Sequence, residues 1–247
     1  MFRNTGMVAS SQGLSEPPEE PVIRVKDVRK AYPTAGGLFY ALKGVSFEVK
    51  RGEFLAITGK SGAGKTTLVN MVTGTDQLTA GEVWVGGMSV HQMDEDRRAR
   101  WRGKNVGVIY QSFHLMPMLT LLENVMLPMD FCGLFHPRES RERAYELLKQ
   151  VELADHAYKL PAEISGGQQQ RVAIARALAN DPMVIVADEP TGRLDTVTAG
   201  VIFDIFKKLA GQGKTILMVT HDRQLAKRVD RLLTLHDGAL VDGNQPV

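Results

Sequence analysis

The stretch Phe54-Leu-Ala-Ile-Thr-Gly-Lys-Ser-Gly-Ala-Gly-Lys-Thr-Thr67 decides the fold. An apolar run passes into a glycine-rich turn, and helical composition begins near Lys65, so the segment reads as strand, turn and helix start. From Gly59 to Thr66 it satisfies the spacing G-x-x-x-x-G-K-[ST]. Glycine is needed there because backbone amides must turn inward around anionic oxygens, where a Cβ would block the approach. The helix N-terminus adds partial positive charge beneath the anion. Gly59, Ser61, Gly62, Ala63, Gly64, Lys65, Thr66 and Thr67 therefore form a candidate phosphate cradle. Lys65 would reach the β- and γ-phosphates of a nucleotide, and the Thr66 hydroxyl would join the shell of Mg²⁺.

Outward from this stretch, apolar and β-branched runs at 22–28, 39–49 and 54–58, punctuated by Gly36, Gly37 and Gly52, suggest an antiparallel opening. Beyond Gly59 the buried-strand runs 106–110, 183–187 and 215–220 are separated by helix-length segments, the pattern of a parallel α/β sheet. Segments 120–130, 139–151 and the stretch after Gly167 have helical composition and are long enough to form their own lobe. The expected organisation is a polar leader at 1–20 and one nucleotide-binding domain at 21–247, with a helical subdomain at about 112–180. A chain of 247 residues with 43% hydrophobic and 23% charged residues can bury a substantial core. One cysteine, Cys132, excludes an internal disulfide, and no Cys/His spacing suits zinc. No apolar run approaches the ~20 residues that cross a bilayer, and residues 1–20 lack the apolar core of a secretory signal. The net charge of +2 gives no bulk attraction to nucleic acid or anionic membrane, so no nucleic-acid partner is expected.

Two further elements carry chemistry. Met183-Val-Ile-Val-Ala-Asp-Glu-Pro190 is an apolar strand that ends in paired carboxylates, which are costly to bury without a cation or proton to handle. Asp188 is placed to hold Mg²⁺, and Glu189 to polarise the water that attacks a γ-phosphate; alone, the pair would equally suit a solvated acidic turn. Ile164-Ser-Gly-Gly-Gln-Gln-Gln-Arg171 runs into an apolar helix. Ser165, Gly166, Gly167 and Gln168 there offer a hydroxyl and open amides at a helix start, although a plain helix cap would look the same. The order along the chain is phosphate loop, Gln111 after a strand, Ser-Gly-Gly-Gln, Asp-Glu, then His221 after another strand.

In that order of motifs, residues 22–242 resemble the nucleotide-binding subunit of ABC transporters. The resemblance implies a P-loop NTPase α/β core with a mixed, largely parallel sheet, an N-terminal antiparallel β subdomain and an α-helical signature subdomain. It implies that Tyr32 stacks on adenine, that Gln111 senses Mg²⁺ and the membrane partner, and that Ser165 to Gln168 are the signature. Asp195 matches a loop at the dimer interface, and His221 the switch histidine facing the γ-phosphate. The implied activity is ATP hydrolysis with Mg²⁺, in a head-to-tail homodimer that drives a separate membrane subunit from the cytoplasmic face of the membrane. Tyr32-Pro-Thr with Ala41-Leu-Lys-Gly-Val-Ser, the run from His114 to Val125, and Gly166-Gly-Gln-Gln-Gln-Arg171 are similar to the lipoprotein-release and macrolide-export branch, whose membrane partners have few transmembrane helices. Export or extraction of a substrate and regulation of cell-wall or division enzymes both remain open for such a motor. Ile164, Lys60 and Arg193 depart from the family pattern without removing a reacting group.

Other features have blander readings. Arg97-Arg-Ala-Arg-Trp-Arg102 follows three acidic residues and suggests a solvated helix face. Met116, Met118, Met126 and Met129 suggest adaptable contacts for the partner, and Cys132 and His114 are expected to be structural.

Overall fold

Two sheets carry the chain in the computed structural model, which describes residues 20–241. The expected leader lies outside the described residues except for Glu20. The first strands, β1 (Ile23–Thr34) and β2 (Gly37–Val49), form an antiparallel hairpin. Next come β3 (Phe54–Thr58), helix α1 (Lys65–Thr73), β4 (Ala80–Val85) and β5 (Met88–Ser89). Helix α2 (Glu95–Asn105) leads into β6 (Val106–Tyr110), followed by the helices α3 (Leu121–Phe131), α4 (Pro137–Gln150) and α5 (Gly166–Ala177). The rest is β7 (Val184–Asp188), α6 (Thr196–Gly211), β8 (Thr215–Thr220), α7 (Arg223–Ala226), β9 (Arg231–His236) and β10 (Ala239–Val241).

The smaller sheet is antiparallel, in the order β2-β1-β4-β5, and the larger runs β10-β9-β3-β8-β7-β6. Within the larger sheet every pairing is parallel except that of β10 with β9. Residues 54–58 thus depart from the antiparallel opening expected for them. They form β3, which sits between β8 and β9 and is parallel to both. The cause is burial: all five residues of β3 are covered, so the strand has no solvent face and needs neighbours with helices on both sides.

The core divides by the two-residue period of the strands. Leu55 and Ile57 of β3, Val184 and Val186 of β7, and Leu217 and Val219 of β8 face a cluster shared with the hairpin, α1 and α2. Phe54, Ile185, Ala187, Ile216 and Met218 face a second cluster with α3, α4, α5 and α6. There Phe54 stacks on Phe203, with ring centroids 5.6 Å apart. Each such side chain larger than alanine contributes roughly 1.5–3 kcal/mol on burial, so packing on both faces sets where the strand ends lie.

Two expectations change. The run 97–102 is not a uniformly solvated face: Arg98 and Trp101, one helical turn apart on α2, are both buried. Arg98 pairs with Glu95, and Arg102 donates to the Gly74 carbonyl at 2.7 Å, so the basic side of α2 holds the end of α1. The methionines also separate. Met129 is a core residue and Met126 packs against the core, which leaves Met116 and Met118 exposed.

Candidate functional site

The parallel register brings the C-terminal ends of β3, β8 and β7 to one edge, with Thr58 beside Thr220 and Asp188 beside Val219. The residues that follow these strands converge there, at the position where open α/β sheets bind ligands. After β3 the chain turns through Gly62 (φ 80°) and Gly64 (φ 101°) into α1. A Cβ on Gly64 would come within 2.5 Å of the Ala41 carbonyl oxygen, so only glycine lets the loop pass the hairpin. Gly64 is also the N-cap of α1 and offers no side-chain acceptor to the helix, so the first amides face the turn without a capping group.

Lys65 is 5% exposed and lies across this turn. Its Nζ donates to the carbonyls of Gly59 at 2.9 Å and Lys60 at 3.1 Å, and it pairs with Glu189 Oε1 at 3.1 Å. Glu189 Oε2 meets His221 Nδ1 at 2.8 Å. The strand ends at Asp188, and Glu189 takes a left-handed conformation (φ 47°). For a residue with a Cβ this conformation is strained, and such strain persists where surrounding contacts enforce it. Burial would raise the Glu189 pKa, but hydrogen bonds from His221 and Lys65, together with their charges, outweigh it and hold the carboxyl below the usual glutamate range. Burial pushes Asp188 the other way, above the usual aspartate range; a hydrogen bond from Thr66 opposes the shift and the charge of Glu189 adds to it. Asp188 Oδ1 is buried with no hydrogen-bond partner among the described residues. An orphaned carboxylate oxygen beside the Thr66 hydroxyl fits a hard divalent cation.

A cavity of about 560 Å³ opens on these groups. It is lined by Tyr32, Phe39, Ala41, Ser61, Gly62, Gly64, Lys65, Thr66, Thr67, Gln111, Asp188 and Glu189. Of the cradle residues expected from the sequence, Gly59 and Ala63 support the loop from behind instead: the Gly59 carbonyl anchors Lys65, and the Ala63 carbonyl accepts from Gly238 N at 3.0 Å. Phe39 and Ala41 were not anticipated. The signal available was the hairpin itself, which pairs Phe39 directly with Tyr32.

Ser165, Gly166, Gly167, Gln168 and Asp195 do not line the cavity. Ser165 caps α5, its Oγ accepting from Gln168 N at 3.3 Å while Gln168 Oε1 accepts from Ser165 N at 2.9 Å, a reciprocal capping box. Asp195 caps α6 by accepting from the amides of Val197 and Thr198 at 3.0 Å and from the Thr198 hydroxyl at 2.6 Å. Gly167 packs against Thr198, so the two helix starts abut.

The ABC transporter family profile matches residues 42–192. An uncharacterized ABC transporter ATP-binding protein of Methanocaldococcus jannaschii, MJ0796, is 45% identical over 221 residues, 88% of this chain and 94% of its own length. This chain belongs to the ABC transporter family. The lipoprotein-releasing system ATP-binding protein LolD of Xylella fastidiosa is 44% identical over 89% of this chain and 92% of its own length. The macrolide export ATP-binding/permease protein MacB of Shigella flexneri is 41% identical over 90% of this chain, which spans only 34% of that longer protein. Among solved structures, a dimeric post-hydrolysis state of the MJ0796 cassette bound to ADP and Pi superposes with a TM-score of 0.83 at 43% identity, covering 89% of this chain and 97% of that one. The α/β P-loop fold and the ATP-binding, ATP-hydrolysing role of an ABC transporter motor subunit follow for this chain.

In this ABC ATPase, Gln111 links the cavity to the loop that precedes α6. It lines the cavity, and its Nε2 sits against Gly192 of the loop that leads to Asp195. No helix among the described residues is long and apolar enough to cross a membrane.

Proposed function

We propose that the chain hydrolyses ATP between two copies of itself and transmits the resulting motion to a separate membrane permease of few transmembrane helices, from the cytoplasmic side. The observation that carries this reading is the Lys65–Glu189–His221 constellation beside the orphaned Asp188 oxygen. The adenine lies against Tyr32, and the phosphates lie on the amides of Ser61 to Thr67 with Lys65 on the β- and γ-phosphates. Thr66, Asp188 and Gln111 would hold Mg²⁺, which when bound neutralises charge developing on the phosphate oxygens. Glu189, kept ionised by its partners, accepts a proton from the attacking water, and His221 faces the γ-phosphate.

Ser165, Gly166, Gly167 and Gln168 of a second copy close over the γ-phosphate, with Asp195 at the same interface. Loss of the γ-phosphate removes the contact that joins the two copies, and the closed state loses its advantage. The permease contacts an apolar cavity of about 470 Å³ between α2, β6, α3 and α5, lined in part by Met116, Leu127 and Phe131, with the exposed Met118 close by in sequence. The names of LolD and MacB support export or extraction of a lipoprotein, macrolide or similar molecule as the work performed.

Glu189→Gln tests the reading. With the permease present, turnover is expected to fall by about 10²–10⁴, while ATP affinity measured by titration calorimetry stays within about twofold. Parental turnover in this variant would remove Glu189 from the reaction.

A further inference from the structure

Tyr32 and Phe39 face each other across the β1–β2 hairpin as a direct cross-strand pair, and both line the nucleotide cavity. Their surroundings differ. The Tyr32 hydroxyl donates to Asp76 Oδ2 at 3.0 Å, and Asp76 Oδ1 is held by Lys30 Nζ at 2.8 Å and by the Gln77 amide at 2.6 Å. The Lys30 ammonium also lies 4.7 Å from the centre of the Tyr32 ring. Tyr32 is thus fixed in orientation, with one ring face beside a buried cation. Phe39 belongs to neither core cluster and is 55% exposed, although it is large and fully apolar. Leu38 and Tyr40, its chain neighbours, point to the opposite side of the strand by the two-residue alternation. An exposed aromatic opposite a pinned one, at the mouth of a cavity whose floor binds phosphate, is placed to cover a planar base.

We propose that Phe39 is a second base-contacting residue, which pairs with the fixed Tyr32 to hold the adenine ring and sets the preference for a purine nucleotide. This rests on the reading of the cavity as the ATP site. Stacking area is larger for a purine than for a pyrimidine, and a contact at the base leaves the phosphate cradle untouched.

The test titrates ATP, CTP and inorganic tripolyphosphate, each with Mg²⁺, into the parent chain, Phe39→Ala, Phe39→Tyr and Lys65→Ala. Because Phe39 lies outside both cores, its replacement leaves the fold intact. Phe39→Ala is expected to weaken ATP about tenfold and CTP less, with tripolyphosphate unchanged; Phe39→Tyr is expected to keep parental ATP affinity. Unchanged ATP affinity in Phe39→Ala, or an equal loss for all three probes, would overturn the role of Phe39 while leaving the site assignment standing. Lys65→Ala reports on that assignment separately: if it binds tripolyphosphate and ATP as the parent does, the phosphate site has been misplaced and the proposal falls with it.

Discussion

The two helix starts that we propose to meet phosphate are in opposite conditions. The loop after β3 is left unfinished. Its helix start has no side-chain cap, Asp188 keeps a buried oxygen without a partner among the described residues, and Glu189, in a left-handed conformation, pairs with Lys65 and His221. The start of α5 is capped from within, because Ser165 and Gln168 satisfy each other's amides and Gly167 packs on Thr198. Buried polar groups left unpaired cost free energy until a ligand meets them. A self-capped helix end carries less of that cost, and its hydroxyl, which accepts from Gln168 N, can also donate its own hydrogen to a phosphate oxygen. The contrast supports the proposal that the first device is the binding site and that the second meets a ligand that is already bound.

The comparison breaks most easily at Lys65. Lys65→Ala is expected to weaken ATP by at least about a hundredfold in calorimetry, since a charge-assisted contact is lost in a buried setting; a loss below threefold would remove the distinction between the devices. Ser165→Ala sharpens it from the other side. ATP affinity of the single chain should stay within about twofold, turnover should fall by about 10–100-fold, and the lost cap should cost about 1 kcal/mol in denaturant unfolding. Weaker ATP binding by the isolated chain would mean that Ser165 serves its own cavity.

Asp188 gives the smallest effect, seen without Mg²⁺. Its folded pKa is raised, so its contribution to stability is complete below its unfolded value of about 3.9 and is lost as pH rises through the folded value. Glu189 is lowered, so its contribution is present above about 4.3 and is lost as pH falls through its folded value. Asp188→Asn removes only the first dependence. Relative to the parent, its thermal midpoint without Mg²⁺ should rise more at pH 7 than at pH 3; the reverse order would contradict the burial of an ionised Asp188.

The unfinished device was legible in the sequence because its chemistry is local: Gly62, Gly64, Lys65 and Thr66 act through backbone shape and a helix start that are encoded in one contiguous run. The Asp188 and Glu189 carboxylates were legible as the end of an apolar strand. Less was visible where placement depends on distant partners. β3 was grouped with the hairpin because its true neighbours, β8 and β9, follow more than 150 residues later. β4 and β9 escaped notice because polar residues break their apolar runs, and β10 because it has only three residues. Arg98 was hidden among charges, although its spacing from Trp101 marked the buried side of α2. Phe39 could be found only through the register set across Gly37.

The central claim is that one copy's cradle is closed by another copy's Ser165 helix. Sedimentation of Glu189→Gln with ATP and Mg²⁺ tests it most directly, with Glu189→Gln/Ser165→Ala run beside it. The single variant should sediment as a dimer with ATP and as a monomer with ADP, and the double variant should remain largely monomeric with ATP bound. A Glu189→Gln chain that binds ATP yet stays monomeric, or a dimer indifferent to Ser165, would contradict the account.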